Sequence, residues 1–554
     1  MMPRSRAPLA AAAALALAAL GTAAAPTIGA SGAAGAATAT RPDRVVVIMV
    51  DALSRELVET YDMENVQALM REGVDTPRGY LGHLGSVTVV THNVVTSGLS
   101  PRSMGWVSEG FEDVDGVLAA SGDDASNHWV TSDWTSEQMF AVQASKGYPQ
   151  LADYLHEMRP GSKVVTISPK AYAAWAFGGA GSDSIVTFSG RSYDCDGDGV
   201  NNWRGPTGIG VPAYLSTPTC GRWYVDSSSS LTYDTSLSPA RMYPLDGNRY
   251  TIGKDPAHEG GDVWAADAAI AAMDNEDWSG IFVTLPGVDK SAHMWGGVTD
   301  PGGPEPMTHI EESTRVADEQ VGRIVQRLKD TGEWDNTLVV LTADHGSVPG
   351  VDFEGVDDGT SNRGFSNWYY GDMENGAYLA PQPALQPLVD TGNVAMSYAD
   401  SQIAVWLKDD APALKAEAAA IMAGLPGVSA VWDRGEDGFD RVGKVRWDRM
   451  ARNGERAWFG RHAQELVDTM ADPTGPDLVA TLVDDTTYSV AGDHGGLQRR
   501  AQQIPIVFAG GGLGSRDLRA PVRSMDIAPT LLRQLGIEQS FPMDGRAYSL
   551  PRRR

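Results

Sequence analysis

Six consecutive apolar residues, Val45–Val50, run directly into a carboxylate, Asp51. A run of that kind has no polar face, so as a strand it must be covered on both sides, as in the centre of a parallel sheet. Further short β-type runs follow at Val164–Ile167, Ile281–Leu285, Leu338–Leu341 and Ile504–Ala509. Helical patterns lie between them. One carries Val66, Leu69 and Met70 and closes on Gly73; a longer one, Ile310–Leu328, carries Val316, Val321, Ile324 and Leu328. Strands alternating with helices predict an α/β fold, a doubly wound, mostly parallel central sheet flanked by helices.

Two stretches break the alternation. Residues 190–255 are rich in Gly, Ser, Asp and Pro and contain both cysteines, Cys195 and Cys220, which reads as an inserted loop region. Residues 351–488 are mixed, with a helical pattern at Ala411–Ala423 and a strand at Val428–Trp432, and read as an inserted cap subdomain. The 554-residue chain is therefore expected to hold one main domain, over residues 43–545, with excursions. Arg4 and Arg6 precede the apolar run Leu9–Leu20 and the small residues Ala23–Ala25, the order of a secretory signal peptide. Residues 1–25 are read as that signal, 26–42 as a flexible leader, and the protein as secreted. No later segment approaches the roughly 18 apolar residues of a membrane span. In an exported chain the two cysteines most simply form one disulfide.

A net charge of −27 argues against nucleic acid as a tightly held partner, because its backbone demands clustered Lys and Arg. Small phosphate esters or nucleotides at a cationic metal centre stay open. Candidate ligands for such a centre are spread along the chain. Asp51 leaves a strand, where sites gather in α/β sheets. Asp344 and His345 follow another strand in T-A-D-H-G, where Gly346 permits a tight turn. Asp289 and His293 in V-D-K-S-A-H are four apart and share a face on a helical turn. His494 in G-D-H-G-G is followed by two glycines, where the backbone can bring a ring close to a charged centre. Such carboxylates and imidazoles suit Zn²⁺ or a similar divalent ion. Thr88, in S-V-T-V-V-T-H-N-V-V-T-S-G-L-S-P, is a hydroxyl nucleophile candidate, with Ser86 its rival; Thr91–Val95 begins a helix whose N–H groups can hold phosphoryl oxygens. Two ions about 4 Å apart suit in-line displacement at phosphorus.

These pieces, in this order, resemble the alkaline phosphatase superfamily, in particular its type I phosphodiesterase/nucleotide pyrophosphatase branch. The resemblance covers about Arg44 to Ile537, insertions excepted, and includes T-S-G-L-S-P at Thr96–Pro101 and S-M-D-I-A-P-T-L-L-R-Q-L-G-I at Ser524–Ile537. It implies a metal-dependent phosphoric-ester hydrolase on an alkaline phosphatase-like fold, acting through a phosphothreonine. By that resemblance Asp51, Asp344 and His345 hold one zinc with Thr88 bridging toward it, and Asp289, His293 and His494 hold the second. Where the diesterase pattern has a phosphoryl-contacting Asn, this chain has Thr91, with Asn93 two residues on. I-S-P-K-A-Y-A-A, Ile167–Ala174, resembles the S-x-K-x-R segment of a monoesterase branch; Lys170 matches, and Tyr172 replaces the Arg. An added cation favours the more highly charged monoester. The diesterase/nucleotide pyrophosphatase type is the leading expectation, and a monoesterase using Lys170 on the same site is the alternative.

Asp194, Asp196 and Asp198 in D-C-D-G-D-G-V-N-N fit a calcium loop across residues 194–202, with Gly199 for the turn, although position twelve is Gly205 rather than a bidentate Glu. A solvated acidic turn is the other reading. Sulfatases on the same scaffold use a modified Cys or Ser in a C/S-x-P-x-R context, and Cys195 and Cys220 lie elsewhere. A phosphomutase role fits poorly with export. An extracellular binding protein that kept the fold and lost turnover is the remaining alternative.

Overall fold

The structure, a computed structural model, describes residues 41–119, 122, 126–130, 134–195, 197–199, 203–216, 261–295, 309–349, 385–452, 454–488 and 492–553. The signal, the leader up to residue 40, Asp196, Cys220 and the first part of the expected cap lie outside the described residues. Arg44–Val50 is the middle strand of a nine-stranded sheet, and Val45–Val50 are fully buried. It pairs in parallel with Thr337–Thr342 on one side and Trp278–Leu285 on the other. Lys163–Ser168 lies parallel beyond Trp278–Leu285, and Ser184–Tyr193 parallel beyond that. Two groups of helices cover this core. Glu64–Glu72, Asp262–Asn275 and His309–Asp330 form one; Thr88–Ser97, Ala171–Gly178 and Ile527–Leu535 belong to the other.

The parallel centre has antiparallel flanks that the sequence pattern does not distinguish. Val507–Gly510 pairs antiparallel with Thr337–Thr342, because a fully buried strand is continuously apolar in either direction. Within the expected loop insert, Trp203–Ile209 turns back antiparallel on Ser184–Tyr193 and forms the outermost strand. Pro206 is tolerated there because an edge strand needs fewer ladder donors.

The described part of residues 351–488 builds its own five-stranded antiparallel sheet. Its order is Val394–Ala399, Gln402–Leu407, Leu478–Leu482, Val428–Arg434, Phe439–Val442. Alternation assigns the faces: Val431 and Ala480 pack with Ala418, Ala419 and Met422 of helix Pro412–Gly424, whereas Ala430, Trp432 and Val479 pack with Phe459 and Leu466 of helix Glu455–Asp468. The sheet is tied into the main body. Met396, Tyr398 and Trp406 share one buried cluster with Val87, Val89, Val90 and Val94 around helix Thr88–Ser97. The insert thus helps to position the helix that carries Thr88.

Candidate active site

Four neighbouring parallel strands release the key side chains at their carboxyl ends. Thr337–Thr342 leads to Asp344 and His345, Arg44–Val50 to Asp51, and Lys163–Ser168 to Lys170. Trp278–Leu285 leads into helix Gly287–Trp295, which carries Asp289 and His293 one turn apart. The Asp262 carboxylate accepts the first N–H of that helix, from Gly287, at 2.8 Å. After Asp51 the chain turns through Ala52 at φ 63°, a left-handed conformation that disfavours a side chain by about 1–2 kcal/mol. The Ala52 N–H donates to Asp344 Oδ1 at 3.2 Å, so the strained turn also orients a second carboxylate.

The two D-H-G loops are built alike. His345 N–H donates to Asp344 Oδ1 at 3.0 Å, and His494 N–H to Asp493 Oδ1 at 2.8 Å. A two-stranded ribbon, Val348↔Asp493 and Pro349↔Gly492, joins the loops, and the His345 and His494 rings stack with centroids 3.6 Å apart. Gly346 has no left-handed φ; it is required by space, since a Cβ there would lie 2.0 Å from the Arg500 carbonyl oxygen. Gly495 is left-handed at φ 81°, and a Cβ there would meet Asp400 at 2.4 Å.

Two compact ligand groups result. In Asp51, Asp344 and His345, and in Asp289, His293 and His494, one ligating atom from each residue lies within 4.8 Å of the others. His345 Nε2 is 3.4 Å from Asp51 Oδ1, and His293 Nε2 is 3.2 Å from Asp289 Oδ1. Lys170 spans the groups, its Nζ 2.5 Å from Asp51 Oδ2 and 2.6 Å from Asp289 Oδ2. Thr88, the first residue of its helix, holds Oγ1 3.4 Å from His345 Nε2. That helix starts three residues earlier than its β-branched sequence suggests, and Val87 offers no side-chain cap to its first N–H groups.

Three buried carboxylates with one ammonium among them leave negative charge uncompensated. Burial, then Asp289 and Asp344, drive Asp51 well above the usual carboxylate range against the pull of Lys170. Burial also lifts Asp344, to about 6, whereas Asp289 is held well down by His293 and Lys170 despite its burial. His293 rises to about 9 because the attraction of Asp289 outweighs desolvation; burial lowers His345 to about 3. Asp51 Oδ1, Asp344 Oδ2 and His494 Nδ1 are buried with no hydrogen-bond partner. Orphaned oxygens and imidazole nitrogens short of positive charge are what divalent cations satisfy, so both groups fit such ions.

Other expected residues face elsewhere. Thr91 Oγ1 lies 3.4 Å from His83 Nε2. Asn93 is enclosed by Tyr148 and Gln150: its Nδ2 donates to the Tyr148 hydroxyl at 2.8 Å, and its Oδ1 accepts from Gln150 Nε2 at 2.6 Å. Neither is brought to the ligand groups by these contacts. In the proposed calcium loop the Asp194 carboxylate accepts the N–H groups of Gly197 and Gly199, at 2.8 and 3.0 Å, which is turn chemistry; Asp198 is exposed. Two residues unmarked in the sequence contact residues of the site, and a third is coupled to its charges. His92 bonds the Thr88 carbonyl oxygen at 2.7 Å and Thr284 Oγ1 at 2.9 Å, pinning the turn of Thr88 to the sheet. Its place one helical turn after Thr88 was the available signal. Asp493 orients the His494 backbone. Glu109 is lifted to about 7 by burial and then by Asp493, with Lys170 and His293 opposing, so its charge is coupled to theirs; nothing in its local sequence marks it.

The model of the type I phosphodiesterase/nucleotide pyrophosphatase family matches residues 45–496. The chain belongs to that family. Its match extends across the strand-end carboxylates, both D-H-G loops and the insert between them. The alkaline phosphatase PhoK of Sphingomonas sp. is 28% identical over 150 residues, 26% of this chain and 27% of that protein. The matched stretch thus spans about a quarter of that relative. Among solved structures, wild-type alkaline phosphatase PafA aligns with a TM-score of 0.58 at 16% identity, covering 92% of this chain and 98% of PafA. Murine ectonucleotide pyrophosphatase/phosphodiesterase 5 aligns with a TM-score of 0.53 at 13% identity, covering 91% and 97%. The structural alignments show the alkaline phosphatase-like fold, and membership of the family makes the chain a phosphoric-ester hydrolase. Among the described residues no helix is long and apolar enough to cross a membrane.

Proposed function

We propose that this family member is an exported, two-zinc phosphomonoesterase that works through phospho-Thr88. The observation that carries the reading is Lys170. Its ammonium touches one carboxylate from each ligand group and sits where the non-bridging oxygens of a dianionic monoester would gather. A diester, with one negative charge fewer, gains less from it. Bound divalent ions would supply an activated nucleophile and neutralise the leaving oxygen. The chain's own residues do the rest. Helix Thr88–Ser97 presents its uncapped first-turn N–H groups to the phosphoryl oxygens, and His92 fixes the turn that aims Thr88 Oγ1. Attack forms the Thr88 Oγ–P bond and breaks the bond from phosphorus to the leaving alcohol's oxygen, which departs with a proton. Water then cleaves Oγ–P, releasing phosphate and restoring the Thr88 hydroxyl. The signal-like segment through Ala25 and a Cys195–Cys220 disulfide belong to the same reading of an extracellular enzyme.

A second reading, hydrolysis of phosphodiesters or nucleotides, draws on the family description and on a murine ectonucleotide pyrophosphatase/phosphodiesterase 5 variant solved in complex with AMP. The two are separated by kcat/KM on p-nitrophenyl phosphate and bis-p-nitrophenyl phosphate. The monoester reading expects p-nitrophenyl phosphate to be preferred. It expects Lys170→Ala to reduce that activity by about 10²-fold and the diester activity by much less. An unchanged ratio in Lys170→Ala would defeat it.

A further inference from the structure

A second concave site opens where the insert's helix Glu455–Asp468 meets the segment around Tyr80 and the stretch after the second D-H-G loop. It is a cavity of about 290 Å³, and none of the metal-ligating side chains lines it. Arg78, Arg461 and Arg499 surround it. In a chain with 71 acidic and 44 basic residues, carboxylate partners are plentiful, and Arg55, Arg315, Arg434, Arg500 and Arg523 each close on one. Among the described residues Arg78 and Arg461 make no ion pair, and Arg499 bonds only the neutral amide of Gln503, at 2.7 Å.

Three rings, Tyr80, Trp458 and His462, form part of the remaining wall. The Trp458 ring lies over the His462 imidazole with centroids 4.1 Å apart, and Tyr80 tilts against the same imidazole at 5.2 Å. Trp458 is fixed by its Nε1–H, which donates to the Leu497 carbonyl oxygen at 2.7 Å. Glu465, 3.9 Å from His462 Nδ1, is also engaged, 3.4 Å from the Tyr80 hydroxyl and 4.0 Å from Arg523. Burial lowers the His462 pKa; Glu465 opposes, and Arg461 and Arg78 push it further down, so both guanidiniums act on this aromatic floor. A rigid ring platform beside guanidinium forks, at the seam between insert and core, is a recognition surface of definite chemistry.

We propose that this cavity is a second ligand site, separate from the metal centre, for a small molecule that joins a planar ring to an ionised phosphate or similar oxyanion. The ring lies against Trp458 and His462, and the oxyanion is held by Arg78 and Arg461. The probe is phenylphosphonate, whose carbon–phosphorus bond a phosphate esterase does not cleave, titrated calorimetrically into the metal-loaded full chain. Arg78→Ser/Arg461→Ser is expected to lose one binding equivalent relative to the unaltered protein, or to weaken it at least about tenfold, with turnover of p-nitrophenyl phosphate unchanged. The difference of one equivalent is the readout, so it holds whether or not the metal centre also takes the probe. Trp458→Leu should weaken phenylphosphonate more than methylphosphonate. Should the double serine variant fold poorly, Arg78→Lys/Arg461→Lys, which keeps the charge and removes the forks, must still show the weakening. Equal stoichiometry and affinity in the unaltered and variant proteins would overturn the proposal.

Discussion

Replacing Gly346 with alanine tests whether the first D-H-G loop is set by backbone proximity. The new Cβ would sit 2.0 Å from the carbonyl oxygen of Arg500 and 3.1 Å from the Ser54 Cβ, while real Cβ contacts essentially never fall under 3.0 Å. The opposing atom is backbone, held nearby by the Gly346 N–H bond to the Ala501 carbonyl oxygen at 2.8 Å, so no side chain can swing away. The segments must part by about 1 Å, and a misplacement of that size in a catalytic group is worth about 10²-fold in rate. Overpacking adds a stability loss of about 1–3 kcal/mol. Gly332→Ala is the control: its φ is 74° with nothing within 4 Å, so only backbone strain of about 1–2 kcal/mol is added, far from the ligands. Steady-state kinetics on p-nitrophenyl phosphate and urea midpoints should show both variants destabilised and only Gly346→Ala losing roughly 10²-fold in kcat/KM. Retention of activity by Gly346→Ala, or an equal activity loss in Gly332→Ala, would refute the reasoning.

Thr88→Ala should abolish turnover while metal content, measured by plasma emission, stays at two ions; residual activity near that of the unaltered enzyme would exclude Thr88 as nucleophile. In the metal-free protein His293 holds its proton up to about 9, whereas Asp344 has lost its proton above about 6. Ion affinity of the Asp289–His293–His494 group should therefore climb by up to about tenfold per pH unit between 6 and 9, and the Asp51–Asp344–His345 group should also gain affinity as pH rises because Asp51 holds its proton well above the usual carboxylate range, as followed by competitive chelator titration. The sign for stability is the reverse: the raised His293 pKa stabilises the metal-free fold below about 6.5, and this contribution disappears as pH rises through about 9. Asp318 accepts the N–H groups of Asn65 and Val66 at 3.1 and 2.9 Å, capping helix Glu64–Glu72 from another helix. Asp318→Ala should lower stability by about 1–2 kcal/mol in urea unfolding, with kcat/KM unchanged.

The central strands and the six metal-ligand candidates were legible because each sits in a local pattern: an apolar run, then a short polar group with glycine nearby. Their convergence was not written locally. It comes from the neighbouring order of four strands, which depends on pairings such as Val46↔Ile281 and Val46↔Val339. Strand direction was equally hidden, as Val507–Gly510 shows. Thr88 lies in a valine-rich stretch with β character, and the packing of Val89, Val90 and Val94 against Met396 and Trp406 draws it into a helix. Asn93 reads as a site residue until Tyr148 and Gln150, over 50 positions away, claim both ends of its amide. Glu109 has the converse history, because its charge acquires meaning only from neighbours contributed by other segments.

The ribbon Val348↔Asp493 closes the neck of the long insert, since one strand precedes that excursion and the other follows it. Like a drawstring, it holds the two ends of the excursion together. With Ser401 of the insert donating its N–H to the His494 carbonyl oxygen at 3.2 Å, whatever varies beyond these ties leaves the loops of His345 and His494 side by side.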